Sequence, residues 1–215
     1  MSRLVKQVHA FEPFPKTLER FQHHIELNQI HNIRLHPIGL SDTNENLTFY
    51  APQSRNQGIG SFDPSTMQKG NVASEKLEVV KGDDYFAKMK INCLDIVKLD
   101  VEGFEKKVLV GLQQMLVKHR PIIVCEVSYG KEVSFNSIQQ LRETLPEEYQ
   151  LFTFNTRKPD GSKARKRGAK ARKTGTYQLV PFNEWRLSGQ DNVIACPKEK
   201  QRILPMQGIG RIAVP

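Results

Sequence analysis

The sequence predicts an α/β fold, in which a doubly wound, mostly parallel sheet ends in an antiparallel pair of strands. Residues 96–105 pass from a short apolar run straight into a helical pattern, as a strand does when it feeds a helix. Residues 121–127 are a near-continuous apolar run of the kind found in buried parallel strands. Strand and helix patterns alternate along the chain, and its last part favours strands.

Each predicted element follows from apolar spacing and from residues that start or stop an element. Strands are predicted at residues 4–11, 32–40, 47–50, 76–81, 95–100, 121–127, 149–154, 177–182 and 192–196, and helices at residues 15–28, from 82, 104–119 and 134–145. Gly58 and Gly60 lie in a polar stretch and allow either a tight turn or close approach to a ligand. The turn is favoured, because Gly is commonest in turns.

Composition restricts the class of protein. The 215 residues are 38% hydrophobic and 26% charged, which is ordinary for one soluble globular domain. The sequence has no apolar run near the roughly 20 residues of a membrane span and no signal-peptide pattern. The three cysteines are widely spaced and lack a CxxC pair, and the six histidines lack metal-ligand spacing. We therefore expect a cytoplasmic protein, with neither a metal site nor a membrane association.

The net charge of +9 comes almost entirely from one segment. Residues 157–173 hold nine Lys or Arg against one Asp, so the rest of the chain is nearly neutral. No aromatic residue interrupts the run, although RNA-binding segments usually add stacking aromatics. We expect a flexible insertion over residues 157–175 of a domain that spans 1–197, followed by an irregular tail at 198–215. Binding of a phosphate-rich partner is the alternative.

Three strand ends carry acidic residues. Lys98 and Asp100 project to the same side of one strand, and Asp100 lies at the end where open α/β sheets bind ligands. Capping of the next helix by Asp100 is an equally good interpretation. Glu126 is a second carboxylate at the exit of a buried strand. Glu12 ends the first strand, where an acid can accept hydrogen bonds from ribose hydroxyls or can simply be solvated.

Taken in order, several stretches resemble the FkbM-type family of S-adenosylmethionine-dependent methyltransferases. They are Ala10-Phe11-Glu12-Pro13-Phe14-Pro15, then Leu18 and Asn28, then Gly39-Leu40-Ser41-Asp42, and Lys98-Leu99-Asp100-Val101-Glu102-Gly103-Phe104-Glu105. The resemblance implies a class I methyltransferase-like sheet and S-adenosylmethionine as cofactor. It places Glu12 at the ribose and the Ser41-Asp42 turn near the adenine. The family's first strand and glycine-rich loop should precede Val8, where only seven residues stand, so we expect a sheet that lacks its first strand.

The resemblance also implies O-methylation of a hydroxyl on a small molecule or sugar. Asp100 is the candidate base or hydroxyl orienter, with Lys98 holding it ionised. Glu126 forms either a further polar wall or a structural partner of Lys98. The alternative function is a non-catalytic, methyltransferase-like module that binds nucleic acid or another polyanion through the basic segment.

Overall fold

The computed structural model describes residues 4–53, 57–130, 134–154 and 179–206, which form a mixed α/β structure. The strands are β1 (Val8–Phe11), β2 (Ile33–His36), β3 (Gly39–Ser41), β4 (Glu45–Pro52), β5 (Asn71–Lys81), β6 (Ile96–Leu99), β7 (Ile122–Ser128), β8 (Tyr149–Phe154), β9 (Leu179–Pro181) and β10 (Gln190–Pro197). The helices are α1 (Pro15–Leu27), α2 (Gly82–Met89), α3 (Glu105–Gly111), α4 (Gln113–His119) and α5 (Ile138–Glu143). The predicted α/β class is confirmed.

The described strands form three sheets. The largest has the order β6-β7-β10-β8-β9, in which β6 and β7 run parallel and β10 lies antiparallel between β7 and β8. β1 and β2 form a parallel pair, and β5 lies between β3 and β4. The antiparallel strands predicted near the end of the chain are therefore present in the largest sheet.

Strands β1 and β6 are two of the edge strands of the described sheets. Within the described ranges β6 pairs with β7 alone, and β1 pairs with β2 alone. The apolar side chain of Ile96 in β6 is 45% exposed, and α1 has no buried residue. Such an edge leaves unpaired backbone N–H and C=O groups that can pair with another strand.

One face of the five-stranded sheet carries the main hydrophobic core. Ile123, Cys125 and Val127 of β7 pack in one cluster with Leu109 of α3 and Leu116 of α4. These five side chains are at most 2% exposed. Because this face is buried, the alternate residues of β6 and β7 point to the opposite face of the sheet. They include Lys98 and Glu126.

The prediction of one continuous helix over residues 104–119 is wrong, because the chain breaks at Leu112 into α3 and α4. The buried carboxylate of Asp83 accepts hydrogen bonds from the backbone N–H groups of Gln114 (2.9 Å) and Met115 (3.0 Å). It thereby caps the start of a second helix, although it belongs to α2.

After β10 the chain forms a 3₁₀ turn, Lys198–Ile203. Arg120 Nε lies 2.6 Å from Glu199 Oε1, and Lys200 donates to the carbonyl of Arg120 at 2.6 Å. These contacts attach the turn to the end of α4. The basic segment at 157–173 and residues 207–215 lie outside the described residues. No helix in the described ranges combines the length and apolarity needed to span a bilayer.

Candidate functional site

Three carboxylates meet where β6 and β7 end. Leu99 stands opposite Cys125 in the parallel register, so Asp100, the next residue, is level with Glu126. Glu102 lies on the loop that follows β6. One carboxylate oxygen from each of these three acids lies within 4.8 Å of the other two. The structure therefore brings together Asp100 and Glu126, which strand ends predicted, and adds Glu102, which was not predicted.

Lys98 accompanies Asp100 at this edge. Its Nζ atom lies 3.3 Å from Asp100 Oδ2 and donates to the carbonyl of Leu99 at 3.0 Å. The two side chains are 36% and 55% exposed, so the pair adds little stability, at most about 1 kcal/mol, and chiefly orients the carboxylate. The capping interpretation of Asp100 is wrong, because α3 begins at Glu105 and Phe104 occupies its N-cap position.

The loop between β6 and α3 has an unusual backbone. Glu102 has a φ of 49° and Gly103 a φ of 104°, so two successive residues adopt left-handed conformations. Glycine tolerates such a φ, whereas for Glu102 it costs about 1–2 kcal/mol. The left-handed turn carries Glu102 toward Asp100 and Glu126.

Two buried side chains bond to the backbone of this loop. Glu105 Oε1 accepts from the N–H groups of Val101 (3.3 Å) and Gly103 (3.1 Å). Ser61 Oγ donates to the carbonyl of Glu102 at 3.0 Å. Ser61 follows the glycine-containing stretch, which folds as a 3₁₀ turn (Gln57–Ile59), as predicted. The local sequence does not indicate the contact between Ser61 and Glu102, because the two residues are 41 positions apart.

Glu12 follows β1 and folds back on the turn before α1. Its Oε1 accepts from the N–H of Phe14 at 2.9 Å, and its own N–H donates to the carbonyl of His36 at 3.1 Å. Burial raises the pKa of the Glu12 carboxyl, although the hydrogen bond from Phe14 lowers it. A cleft of about 400 Å³ opens between Phe14 and Lys16 at this turn and strands β4 and β5. None of the three clustered carboxylates lines it.

The turn at Ser41 and Asp42 is held by α3. Ser41 is fully buried, and its hydroxyl donates to Asp42 Oδ1 at 3.1 Å. Asp42 lies 3.5 Å from Lys107 Nζ, and Gly111 packs directly on the carbonyl of Ser41. α3 begins at the end of the loop that carries Asp100 and Glu102. This short helix therefore connects that loop, where the acceptor was predicted, with the Ser41-Asp42 turn, which was predicted to lie near the adenine.

A chain of hydrogen-bonded rings lies on β1, β2 and α2. His36 Nε2 is 3.1 Å from His9 Nδ1, and His36 Nδ1 is 3.0 Å from the hydroxyl of Tyr85. Burial, together with the charges of His9 and Arg34, lowers the pKa of His36 to about 4. Sequence spacing could not indicate this contact, because the partners are 27 and 49 residues apart.

The three carboxylates are also a group whose oxygens lie close enough to share a cation. Carboxylate oxygens suit hard divalent ions, but exposed acidic groups often gather without one. The sequence-based expectation that the protein has no metal site stays a prediction.

The fold and the position of these polar groups define a class of protein. An α/β sheet with acids at the carboxyl ends of adjacent parallel strands is typical of enzymes that bind nucleotide-like ligands at that edge. The chain belongs to the FkbM methyltransferase domain family, whose family model matches residues 3–153. The resemblance noted in the sequence is thereby confirmed.

Individual relatives match over shorter stretches. The chain is 28% identical over 118 residues to "Methyltransferase 1" of Beauveria bassiana (strain ARSEF 2860), an alignment that covers 48% of this chain and 47% of that protein. A solved FkbM methyltransferase from Methylobacillus flagellatus KT aligns with a TM-score of 0.49 and 14% identity, covering 88% of this chain and 36% of that one. The aligned region thus spans about half or less of either relative's length.

Proposed function

We propose that this chain acts in S-adenosylmethionine-dependent methylation of a hydroxyl on a small molecule or sugar. The observation that carries the proposal is the convergence of Asp100, Glu102 and Glu126 at the ends of two parallel strands. It occurs in a chain whose family is a methyltransferase family. A hydroxyl acceptor needs a group that orients it and takes its proton, and carboxylates at this edge can do both.

Each residue then has a role that its contacts suit. Asp100, more than half exposed, accepts the hydrogen bond and the proton of the acceptor hydroxyl. Lys98, 3.3 Å away, offsets part of the negative charge of Asp100 and holds its orientation. Glu126 forms the neighbouring polar wall. S-adenosylmethionine, when bound, supplies a methyl group on a positively charged sulfur, so the negative edge also favours its approach.

The described residues fit the adenosine part of this cofactor. The hydrogen bond from Phe14 uses only Oε1 of Glu12, so Oε2 can accept a ribose hydroxyl. Asp42 is partly exposed and can accept from the adenine amino group, while buried Ser41 supports the turn from beneath. We therefore expect these adenosine contacts to contribute to cofactor affinity.

Calorimetric titration tests cofactor binding. S-adenosylmethionine and S-adenosylhomocysteine should bind, and Glu12→Gln should weaken both about tenfold, because one charge-assisted hydrogen bond is worth about 1.4 kcal/mol or more. Glu19→Gln, on the exposed side of α1, is the matched control and should leave affinity unchanged. Absence of heat at high micromolar cofactor would refute binding by this chain.

Methyl transfer is tested by following S-adenosylhomocysteine release with a panel of phenols, sugars and aliphatic alcohols. Asp100→Asn should lower turnover about 10²-fold or more while cofactor affinity stays unchanged, since a general base contributes on that scale. Asp95→Asn, just before the start of β6, is the control. Equal turnover in Asp100→Asn and wild type would remove Asp100 from the mechanism.

A second candidate function is binding of nucleic acid or another polyanion through the basic segment at 157–173. The charge of the segment favours it, because nine Lys or Arg stand against one Asp. Phe154 pairs with Leu179, and in the register of β8, β10 and β7 it is level with Glu126. The two strands that flank the segment thus meet at the carboxylate edge. Salt-dependent retention on RNA that disappears when Arg165, Lys166 and Arg167 are changed to Ala would support this function. Unchanged retention in that triple variant would exclude it.

A further inference from the structure

The carboxylate cluster needs a support outside itself. Asp100, Glu102 and Glu126 repel one another, and the repulsion acts directly on the loop that carries two of them. That loop also holds Glu102 in a left-handed conformation, which side chains rarely adopt. An unsupported loop of this composition would relax toward ordinary backbone angles and move its acids apart.

Glu105 supports the loop from the helix side. Its single oxygen Oε1 accepts from two N–H groups, those of Val101 and Gly103, which bracket Glu102. The side chain is 1% exposed, so water competes little for these bonds. Because the acceptor is a carboxylate, both are charge-assisted hydrogen bonds.

Ser61 supports the loop from the opposite side. Its hydroxyl donates to the carbonyl of Glu102 and accepts from the N–H of Asp63 at 3.0 Å. Ser61 is 2% exposed, and its backbone exchanges two hydrogen bonds with Tyr50 of β4, at 2.8 and 3.2 Å. The hydroxyl is therefore fixed by a sheet that is separate from β6 and α3.

We propose that Glu105 and Ser61 are positioning residues that hold Asp100 and Glu102 against Glu126, and that they act through the backbone of the loop. Together they bond three backbone groups on Val101, Glu102 and Gly103. The consequence for catalysis rests on the proposed function, whereas the consequence for loop structure does not.

Amide hydrogen exchange measured by NMR tests the structural part in the full chain. In Glu105→Ala the amides of Val101 and Gly103 should exchange about tenfold faster than in wild type, since each loses a hydrogen bond worth about that factor. Glu105→Gln keeps an acceptor oxygen and should give an intermediate rate. Ser61→Ala should raise exchange at Gly103 severalfold. Lys106→Ala, one position further along α3, is the control and should leave both rates unchanged.

Kinetics test the catalytic part with any acceptor that the panel identifies. Ser61→Ala and Glu105→Gln should lower kcat about tenfold or more, with little change in the cofactor Kd. A merely structural role would instead change thermal stability and leave kcat per folded molecule unchanged. Glu105→Gln should retain more turnover than Glu105→Ala, because it preserves the acceptor.

The outcomes separate the two proposals. Exchange rates within twofold of wild type in Ser61→Ala and Glu105→Gln would refute the proposal that these two residues support the loop. This test holds even if Glu105→Ala fails to fold. Faster exchange with unchanged kcat overturns the positioning role. If wild type transfers no methyl group to any acceptor, the proposed function fails, while the exchange rates still decide whether these residues hold the carboxylates.

Discussion

Substitution of Gly111 by Ala tests how tightly α3 packs on the turn at Ser41. A Cβ atom at position 111 would lie 1.8 Å from the carbonyl oxygen of Ser41 and 2.7 Å from its carbonyl carbon. Real Cβ contacts are essentially never shorter than 3.0 Å, so one backbone must retreat by about 1.2 Å. Ser41 belongs to β3 and is paired with Lys81, so its backbone cannot move alone.

Gly111→Ala should lower the stability of the protein, although helix propensity alone would raise it. Gly→Ala within a helix ordinarily stabilises by about 0.5–1 kcal/mol. Here overpacking should cost about 1–3 kcal/mol, which corresponds to a fall in Tm of roughly 2–12 °C for a chain of this size. Urea denaturation followed by circular dichroism measures the change. Val110→Ala, at a 40% exposed position of the same helix, should stay within about 0.5 kcal/mol of wild type. A Gly111→Ala variant as stable as wild type would refute the packing argument.

Three further predictions concern the fold. Asp83→Ala should destabilise by about 2–3 kcal/mol, because two N–H groups of α4 lose their charged acceptor, whereas exposed Asp84→Ala should change the free energy of unfolding little. The imidazole of His36, buried beside His9, has a pKa of about 4 in the folded chain against an ordinary 6.5. As the pH falls, the unfolded chain therefore binds a proton at His36 before the folded chain does. The free energy of unfolding should thus be unaffected by His36 above pH 6.5 and should fall toward pH 4 by up to about 3 kcal/mol. Urea titrations of His36→Asn should show a shallower fall over the same pH range. The exposed edge of β6, with Ile96 45% exposed, should make the chain poorly soluble or partner-dependent in folding, and a monomer by light scattering with one cooperative calorimetric transition would contradict this.

Much of the fold could be predicted because its strongest patterns are local. The apolar run at 121–127 became β7, and the apolar residues before Asp100 became β6. Strand ends also indicated Asp100 and Glu126 as site candidates, since open α/β sheets bind ligands at the carboxyl ends of their strands. The break between α3 and α4 could not be predicted, because the carboxylate that caps α4 comes from a position 31 residues earlier.

Several features can be predicted from local patterns alone: the fold class, the order of most strands and helices, the family resemblance and two of the three clustered acids. Periodicity, helix-starting residues and short motifs carry this information along neighbouring positions. Three features arise only when the elements pack together. Glu102 joins Asp100 and Glu126, Glu105 and Ser61 bond to the loop between β6 and α3, and Gly111 presses α3 on the Ser41 turn. These features depend on a left-handed φ and on a hydrogen bond across 41 residues, which are set by how separate elements pack and not by local spacing.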